Sequence, residues 1–139
     1  MELIITRATS DDWDFIRNLR NSSSIGFISQ QEITANEHLA FMRKYGQNYF
    51  IARNESQEKV GFIGEVAGDI RFAVPVDFRG NNIAVSMLNF FEKELSDQTL
   101  SAKVKSTNYP SIKTFLKAGW KKASVDKVAQ NEKYIIFQK

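Results

Sequence analysis

Apolar and polar positions alternate through Leu3-Ile4-Ile5-Thr6-Arg7, which predicts a first strand. Ser10, with Asp11 and Asp12 behind it, reads as an N-cap and acidic first turn, and Trp13, Ile16, Leu19 and Arg20 follow at helical spacing. A helix to about Asn21 is expected, then a loop over Asn21-Ser22-Ser23-Ser24-Ile25-Gly26. Thr34-Ala35-Asn36-Glu37 has capping-box spacing and opens a second helix, with Leu39, Met42 and Tyr45 expected on its buried face and Gly46 at its end. Three strand-like runs follow over residues 49–52, 60–65 and 70–74, separated by the polar turns Asn54-Glu55-Ser56-Gln57 and Ala67-Gly68, as a hairpin meander requires. A long helix is predicted over residues 83–95 and a strand over 100–105. Pro110 sits near the start of a further helix, where its missing N–H costs nothing, and Ile112, Phe115 and Leu116 give that helix its apolar face up to Gly119. Strands over 120–125 and 134–138 complete the chain.

The resulting order, β-α-α-β-β-β-α-β-α-β-β, is an α+β pattern with one mixed central sheet. The 139 residues suit a single domain spanning 1–139, long enough to bury a core without staples. With no cysteine there is neither a disulfide framework nor a thiolate nucleophile, and one histidine among scattered acids gives no metal-ligand cluster. No apolar run reaches the roughly 18–20 residues of a membrane span, and Met1-Glu2-Leu3-Ile4-Ile5-Thr6-Arg7 lacks a signal-peptide profile, so the cytoplasm is the expected location. Net charge is +3, but lysine is concentrated from Leu100 onward, including Lys103, Lys113 and Lys117, against only Asp126 and Glu132. A solvated lysine surface and a phosphate-rich small ligand both account for this excess. A nucleic-acid surface does so less well, because arginine is nearly absent there.

The most informative chemistry lies at Val74-Pro75-Val76-Asp77-Phe78-Arg79-Gly80-Asn81-Asn82-Ile83-Ala84. A strand leads into a polar, glycine-containing turn and straight into a helix. Such a junction offers free backbone N–H groups at a positive dipole end, a seat for phosphate or diphosphate. Arg79-x-x-Asn82-x-Ala84 resembles motif A of the GNAT superfamily of acyl-CoA-dependent N-acyltransferases, with Asn82 where that motif usually has glycine. Asparagine tolerates left-handed backbone better than most residues, so Asn82 need not abolish the cradle. Asn108-Tyr109-Pro110-Ser111, with Phe115 and Gly119-Trp120 beyond, resembles motif B of the same superfamily. Taken with the element order, the resemblance covers essentially the whole chain.

The resemblance implies a GNAT fold, a mixed sheet of about seven strands flanked by about four helices. It implies acetyl-CoA as cosubstrate, transfer of an acetyl group to a primary amine of a small molecule, and no metal. Cofactor contacts fall on Phe72, Ala73 and Val74 at the strand exit, on Arg79, Gly80, Asn81, Asn82, Ile83 and Ala84 in the cradle, and on Asn108, Ser111 and Phe115. The Val74 N–H is the expected donor to the thioester carbonyl. Asn108 and Ser111 also suit helix capping, and Phe115 suits core packing, since it cannot protonate a thiolate as the tyrosine of many relatives does. Tyr49, Tyr109 and Tyr134 are phenols that would replace it. Glu65, Asp69 and His38 are the candidates for taking the amine proton, against plain turn, surface or capping roles.

Leu19-Arg20-Asn21 and Asn36-Glu37-His38-Leu39-Ala40-Phe41 resemble the branch that acetylates nucleotide-linked amino sugars, the pseudaminic-acid pathway acetyltransferase among them. Arg20 and Asn21 would then meet an acceptor phosphate or hydroxyl. A protein N-terminus or lysine is the rival acceptor, and a non-catalytic acyl-CoA-binding module is the rival class. Short members of the superfamily often pair, so a homodimer is among the expected partners, although no exposed stripe demands one; nucleic acid and membrane are not.

Overall fold

The computed structural model describes residues 2–22, 32–128 and 132–139. Seven strands, β1 (Ile4–Arg7), β2 (Tyr49–Arg53), β3 (Lys59–Val66), β4 (Asp69–Ala73), β5 (Ser101–Lys105), β6 (Lys121–Val128) and β7 (Glu132–Gln138), form one sheet in the order β1-β2-β3-β4-β5-β7-β6. Every pairing is antiparallel except β4 with β5. Four helices, α1 (Trp13–Ser22), α2 (Ala35–Tyr45), α3 (Ile83–Glu94) and α4 (Tyr109–Lys117), cover the faces. The α+β architecture expected from the periodicities is the one observed.

Strand alternation divides the apolar residues between two clusters. Phe50, Ala52 and Ile63 face Met87, Leu88 and Phe91 of α3, with Phe115, Trp120 and Phe137 extending that cluster under α4. Tyr49, Ile51 and Phe62 face Ile16 and Leu19 of α1 and Met42 of α2. Burial of aromatic and branched side chains at roughly 1.5–3 kcal/mol each on both faces holds the helices to the sheet.

Helix α1 starts one residue away from the expected cap. Thr9, not Ser10, caps a short 3-10 turn that leads into it, and the Thr9 N–H donates to Asp12 Oδ2 at 2.9 Å. Asp12 is therefore buried, and it pairs with Arg53 at 3.0 Å and Lys59 at 2.8 Å. Burial pushes its carboxyl up, but the Lys59 hydrogen bond, the Thr9 N–H and the charges of Lys59 and Arg53 together hold it below its ordinary value. A carboxyl lowered in the folded state contributes stability above its unfolded value, about pH 3.9, which is lost as pH falls through the lower folded value. Asp12→Ala is expected to cost about 2–3 kcal/mol at pH 7 by urea denaturation, and Asp12→Asn to flatten the acid limb of stability below about pH 4.

The capping box at α2 is present: Thr34 Oγ1 accepts from the Glu37 N–H at 3.2 Å and Glu37 Oε1 accepts from the Thr34 N–H at 3.2 Å. The phase of this helix differs from expectation. His38 and Met42 are buried while Leu39 is exposed, because the aromatic row His38, Phe41 and Tyr45 turns toward β2 and β4 instead. Gly46 ends α2 with an ordinary helical φ of −66°, so packing selects it: a Cβ would lie 3.2 Å from Met42 Cε. Of the loop expected at 21–26, residues 23–26 lie outside the described residues.

Candidate active site

A single register pair, Asp69 with Ser101, joins the parallel strands β4 and β5. That end is pinned by the Ser101 N–H donating to the Gly68 carbonyl at 2.9 Å. Gly68 is required twice over, by a φ of +84° in the Ala67-Gly68 hairpin turn and by the Thr99 carbonyl 2.8 Å from where a Cβ would stand. Beyond the pin the two strands part, and a cavity of about 1290 Å³ runs between them.

One half of the cavity is built by the junction between β4 and α3. After Ala73 the chain passes through Val74 and Pro75 into a 3-10 turn, Val76–Phe78. Arg79 Nε donates to the Val74 carbonyl at 3.1 Å and Asn81 Nδ2 to the Phe78 carbonyl at 3.0 Å, which folds the turn back on the strand exit. Gly80 has φ +87° and open space where a Cβ would stand. Asn82 takes the left-handed conformation itself, φ +58° and ψ +22°, which asparagine adopts more readily than most residues other than glycine.

Its side chain does not cap α3; Asn82 Oδ1 accepts from Lys117 Nζ at 2.6 Å. No acid stands in the first turn of α3. The N–H groups of Ile83, Ala84 and Val85 thus have no intrahelical partner and no side-chain cap, and all three residues line the cavity. Lys113 and Lys117 line the same cavity, and free N–H groups at a helix start beside cations are the arrangement that suits an anion.

Beside it, Phe72 and Phe115 meet edge to face at 5.6 Å, and Asn108 and Ser111 of α4 complete the wall. Asn108 Oδ1 accepts from the Ser111 N–H at 3.4 Å, capping α4 while the residue still borders the cavity. Both roles expected of it are compatible.

The other half lies between β4 and the two N-terminal helices. Asp69 and Arg71, two apart on β4, share a face and approach to 3.8 Å. The Arg71 guanidinium stands 5.7 Å from the centre of the Phe41 ring, and Tyr49, Phe62, His38 and Arg20 complete the wall. Burial raises the Asp69 carboxyl above its ordinary value, against the opposing pull of Arg71 and of the charge and backbone hydrogen bond of Lys103. Burial also lowers the His38 imidazole, reinforced by Arg17 and Arg20 and opposed by Asp14, so the ring is neutral at pH 7. The Tyr49 phenol is pushed up to about 12 by burial, against the Arg71 charge and hydrogen bond, and remains a neutral donor. Its ring lies over Gly64, where a Cβ would come within 2.5 Å of it.

No family model and no curated protein matches the chain by sequence. Solved structures do match it in three dimensions. An N-acetyltransferase from Staphylococcus aureus Mu50 superposes with a TM-score of 0.84 at 19% identity, over 100% of this chain and 98% of that one. A GNAT superfamily phosphinothricin acetyltransferase from Sinorhizobium meliloti, solved with acetyl-CoA, gives 0.85 at 14% identity, over 100% of this chain and 88% of that one. The ribosomal-protein-alanine N-acetyltransferase of Brucella melitensis gives 0.81 at 18% identity, over 98% of each chain. The fold is the GNAT fold.

Within that GNAT fold the expected residues separate cleanly. Phe72, Ala73, Val74, Arg79, Gly80, Asn82, Ile83, Ala84, Asn108, Ser111 and Phe115 line one cavity with Asp69 and His38. Asn81 does not line it and serves the turn instead. Glu65 does not line it either: its carboxylate accepts from Asn48 Nδ2 and, at 2.7 Å, from the Gly68 N–H, which stabilises the hairpin. Asn21 is spent on the backbone of Ile33, accepting at 2.9 Å and donating at 3.0 Å. Of the three phenols only Tyr49 lines the cavity, Tyr109 being exposed and Tyr134 buried in β7. Arg71 was not singled out by sequence, whereas Phe41 stood within the segment 36–41 and Lys113 and Lys117 within the lysine excess beyond Leu100. The signal for Arg71 was its two-residue spacing from Asp69 on a strand.

Proposed function

We propose that the chain is an acetyl-CoA-dependent N-acetyltransferase whose acceptor is the primary amine of a small molecule. The observation that carries this reading is the uncapped start of α3, opening onto a strand splay whose far side holds a desolvated carboxylate. When bound, acetyl-CoA supplies an acetyl group activated as a thioester. The N–H groups of Ile83, Ala84 and Val85 hold its diphosphate, with Lys113 and Lys117 adding charge. Phe72, Ala73, Val74, Asn108 and Ser111 guide the pantetheine arm along the splay, and Phe115 backs them from the core.

Positioning of this kind is worth roughly 7–11 kcal/mol of barrier. An amine arriving protonated gives its proton to Asp69, whose raised pKa brings it nearer that of the donor. His38, neutral and buried, is the second proton acceptor on that wall. Tyr49, held in the neutral form, is the phenol that borders the cavity on the same wall as Arg71.

Arg20 in the wall supports a nucleotide-linked amino sugar as one acceptor within this proposal. The likeness to the Brucella enzyme supports a protein N-terminus as a second reading.

Ala84 tests the cofactor half. Ala84→Phe places a ring where the diphosphate is proposed to sit. Calorimetric titration with CoA is expected to show affinity reduced by at least about tenfold, with the melting temperature near wild type. Unchanged affinity would remove the cradle from the proposal. CoA binding by the wild type with no thiol release on any amine would leave only a non-catalytic module.

A further inference from the structure

Asn82 and Lys117 stand 35 residues apart, at the start of α3 and in the last turn of α4, and both line the cavity. Lys117 Nζ donates to Asn82 Oδ1 at 2.6 Å. One of the three ammonium hydrogens is spent on that oxygen, and two remain.

The partner is a neutral amide. A carboxylate in its place would hold the ammonium as well but would offset its charge. Among the described residues no acid pairs with Lys117. The cation is thus fixed beside the first turn of α3 with its charge intact.

Backbone geometry alone does not ask for this amide. Position 82 is left-handed, φ +58°, a conformation that glycine meets without strain, and the Asn82 side chain caps nothing in α3. Were the turn the sole demand on this position, glycine would serve it better. The side chain answers a second demand, and among the described residues its partner is Lys117. A lysine stem carries much rotamer freedom, and ordering it only when a ligand arrives opposes binding. The Asn82 contact does that ordering beforehand.

We infer that Asn82 is a positioning residue for the cofactor: its amide holds the Lys117 ammonium where it joins the Ile83, Ala84 and Val85 N–H groups on one phosphate-bearing group. This rests on the acetyl-CoA reading above and deepens it. Lys117 supplies the charge, and Asn82 acts through the lysine.

The test is calorimetric titration of CoA, at low and high salt, into the wild type, Asn82→Gly, Lys117→Gln and the double variant. Asn82→Gly keeps the left-handed turn and removes the amide. Lys117→Gln removes the charge at an exposed position of α4. Lys117→Gln is expected to weaken CoA binding about 5–10-fold and to flatten its salt dependence. Asn82→Gly is expected to weaken it about 3–5-fold although no charge is lost. The double variant should bind within about twofold of Lys117→Gln, because the amide has no effect once the lysine is gone.

A plain structural tie between α3 and α4 would instead lower the melting temperature of both single variants and leave CoA affinity unchanged. Unchanged affinity in either single variant overturns the inference, as do losses that multiply in the double variant. If the wild type does not bind CoA, the acetyl-CoA reading fails separately, and inorganic pyrophosphate is titrated in its place. Pyrophosphate binding weakened in both single variants upholds the held lysine. No binding, or binding that either variant leaves unchanged, rejects it.

Discussion

Asp69→Asn is expected to lower kcat for amine acetylation by about 10²–10⁴-fold while leaving CoA affinity within about twofold of wild type. The exchange keeps the shape of the side chain and removes its charge together with its ability to take a proton. Asp69 lies at the pinned end of β4, remote along that strand from the phosphate seat proposed at α3, so CoA binding there should not sense the change. The pH profile adds a second readout. Burial raises the Asp69 carboxyl, so in the wild type kcat/KM should fall as pH drops through a value above the ordinary aspartate range of about 3.9. That acid limb should vanish in Asp69→Asn. A kcat within threefold of wild type, with the limb retained, would move the base elsewhere on the same wall, with neutral His38 next in line.

The order of elements was legible because each periodic segment is bounded by a residue with a defined backbone task. Thr34 caps α2 reciprocally with Glu37, Asn82 turns left-handed before α3, and Asn108 with Pro110 starts α4. The turn between β4 and α3 was legible for the same reason, being local in sequence: Arg79, Gly80, Asn82 and Ala84 follow one another through it.

The half of the cavity walled by Asp69, Arg71, Phe41 and Tyr49 was not local. It needs β4 to lie one strand away from β2, across β3, with Arg71 against Phe41 of α2, a juxtaposition that no periodicity encodes. Asp69 and Arg71 share a strand face by alternation, but which face meets Phe41 and Tyr49 is decided by topology. The phase of α2 was ambiguous because both Leu39 and His38 stand at helical spacing from Met42, and tertiary stacking on Arg71 chose His38. Glu65 and Asp69 looked alike as acids flanking one turn. A hairpin N–H and the Asn48 amide claim the first, and the cavity claims the second.

Phe115→Ala is expected to destabilise the protein by about 3–5 kcal/mol, the largest stability effect of any single change proposed. Phe115 is 2% exposed and stands where the core meets the site. Its ring stacks on Phe137 at 5.2 Å and meets Trp120 at 5.1 Å and Phe72 at 5.6 Å, while one side borders the cavity. Truncation therefore removes a partner from three aromatic rings at once, Phe72 on β4, Phe137 on β7 and Trp120 between α4 and β6, and rigid neighbours of this kind do not collapse into the void. Against a typical total of about 5–15 kcal/mol, such a loss should appear as a fall of about 10–20 °C in melting temperature. Saturating CoA should restore part of it, because binding only to the folded state stabilises by mass action. Phe115→Leu keeps most of the volume and should cost less than half as much. A melting temperature for Phe115→Ala within 3 °C of wild type would mean that the ring faces the cavity rather than the core. The wall between cofactor and core would then have to be placed at Phe72 and Trp120 alone.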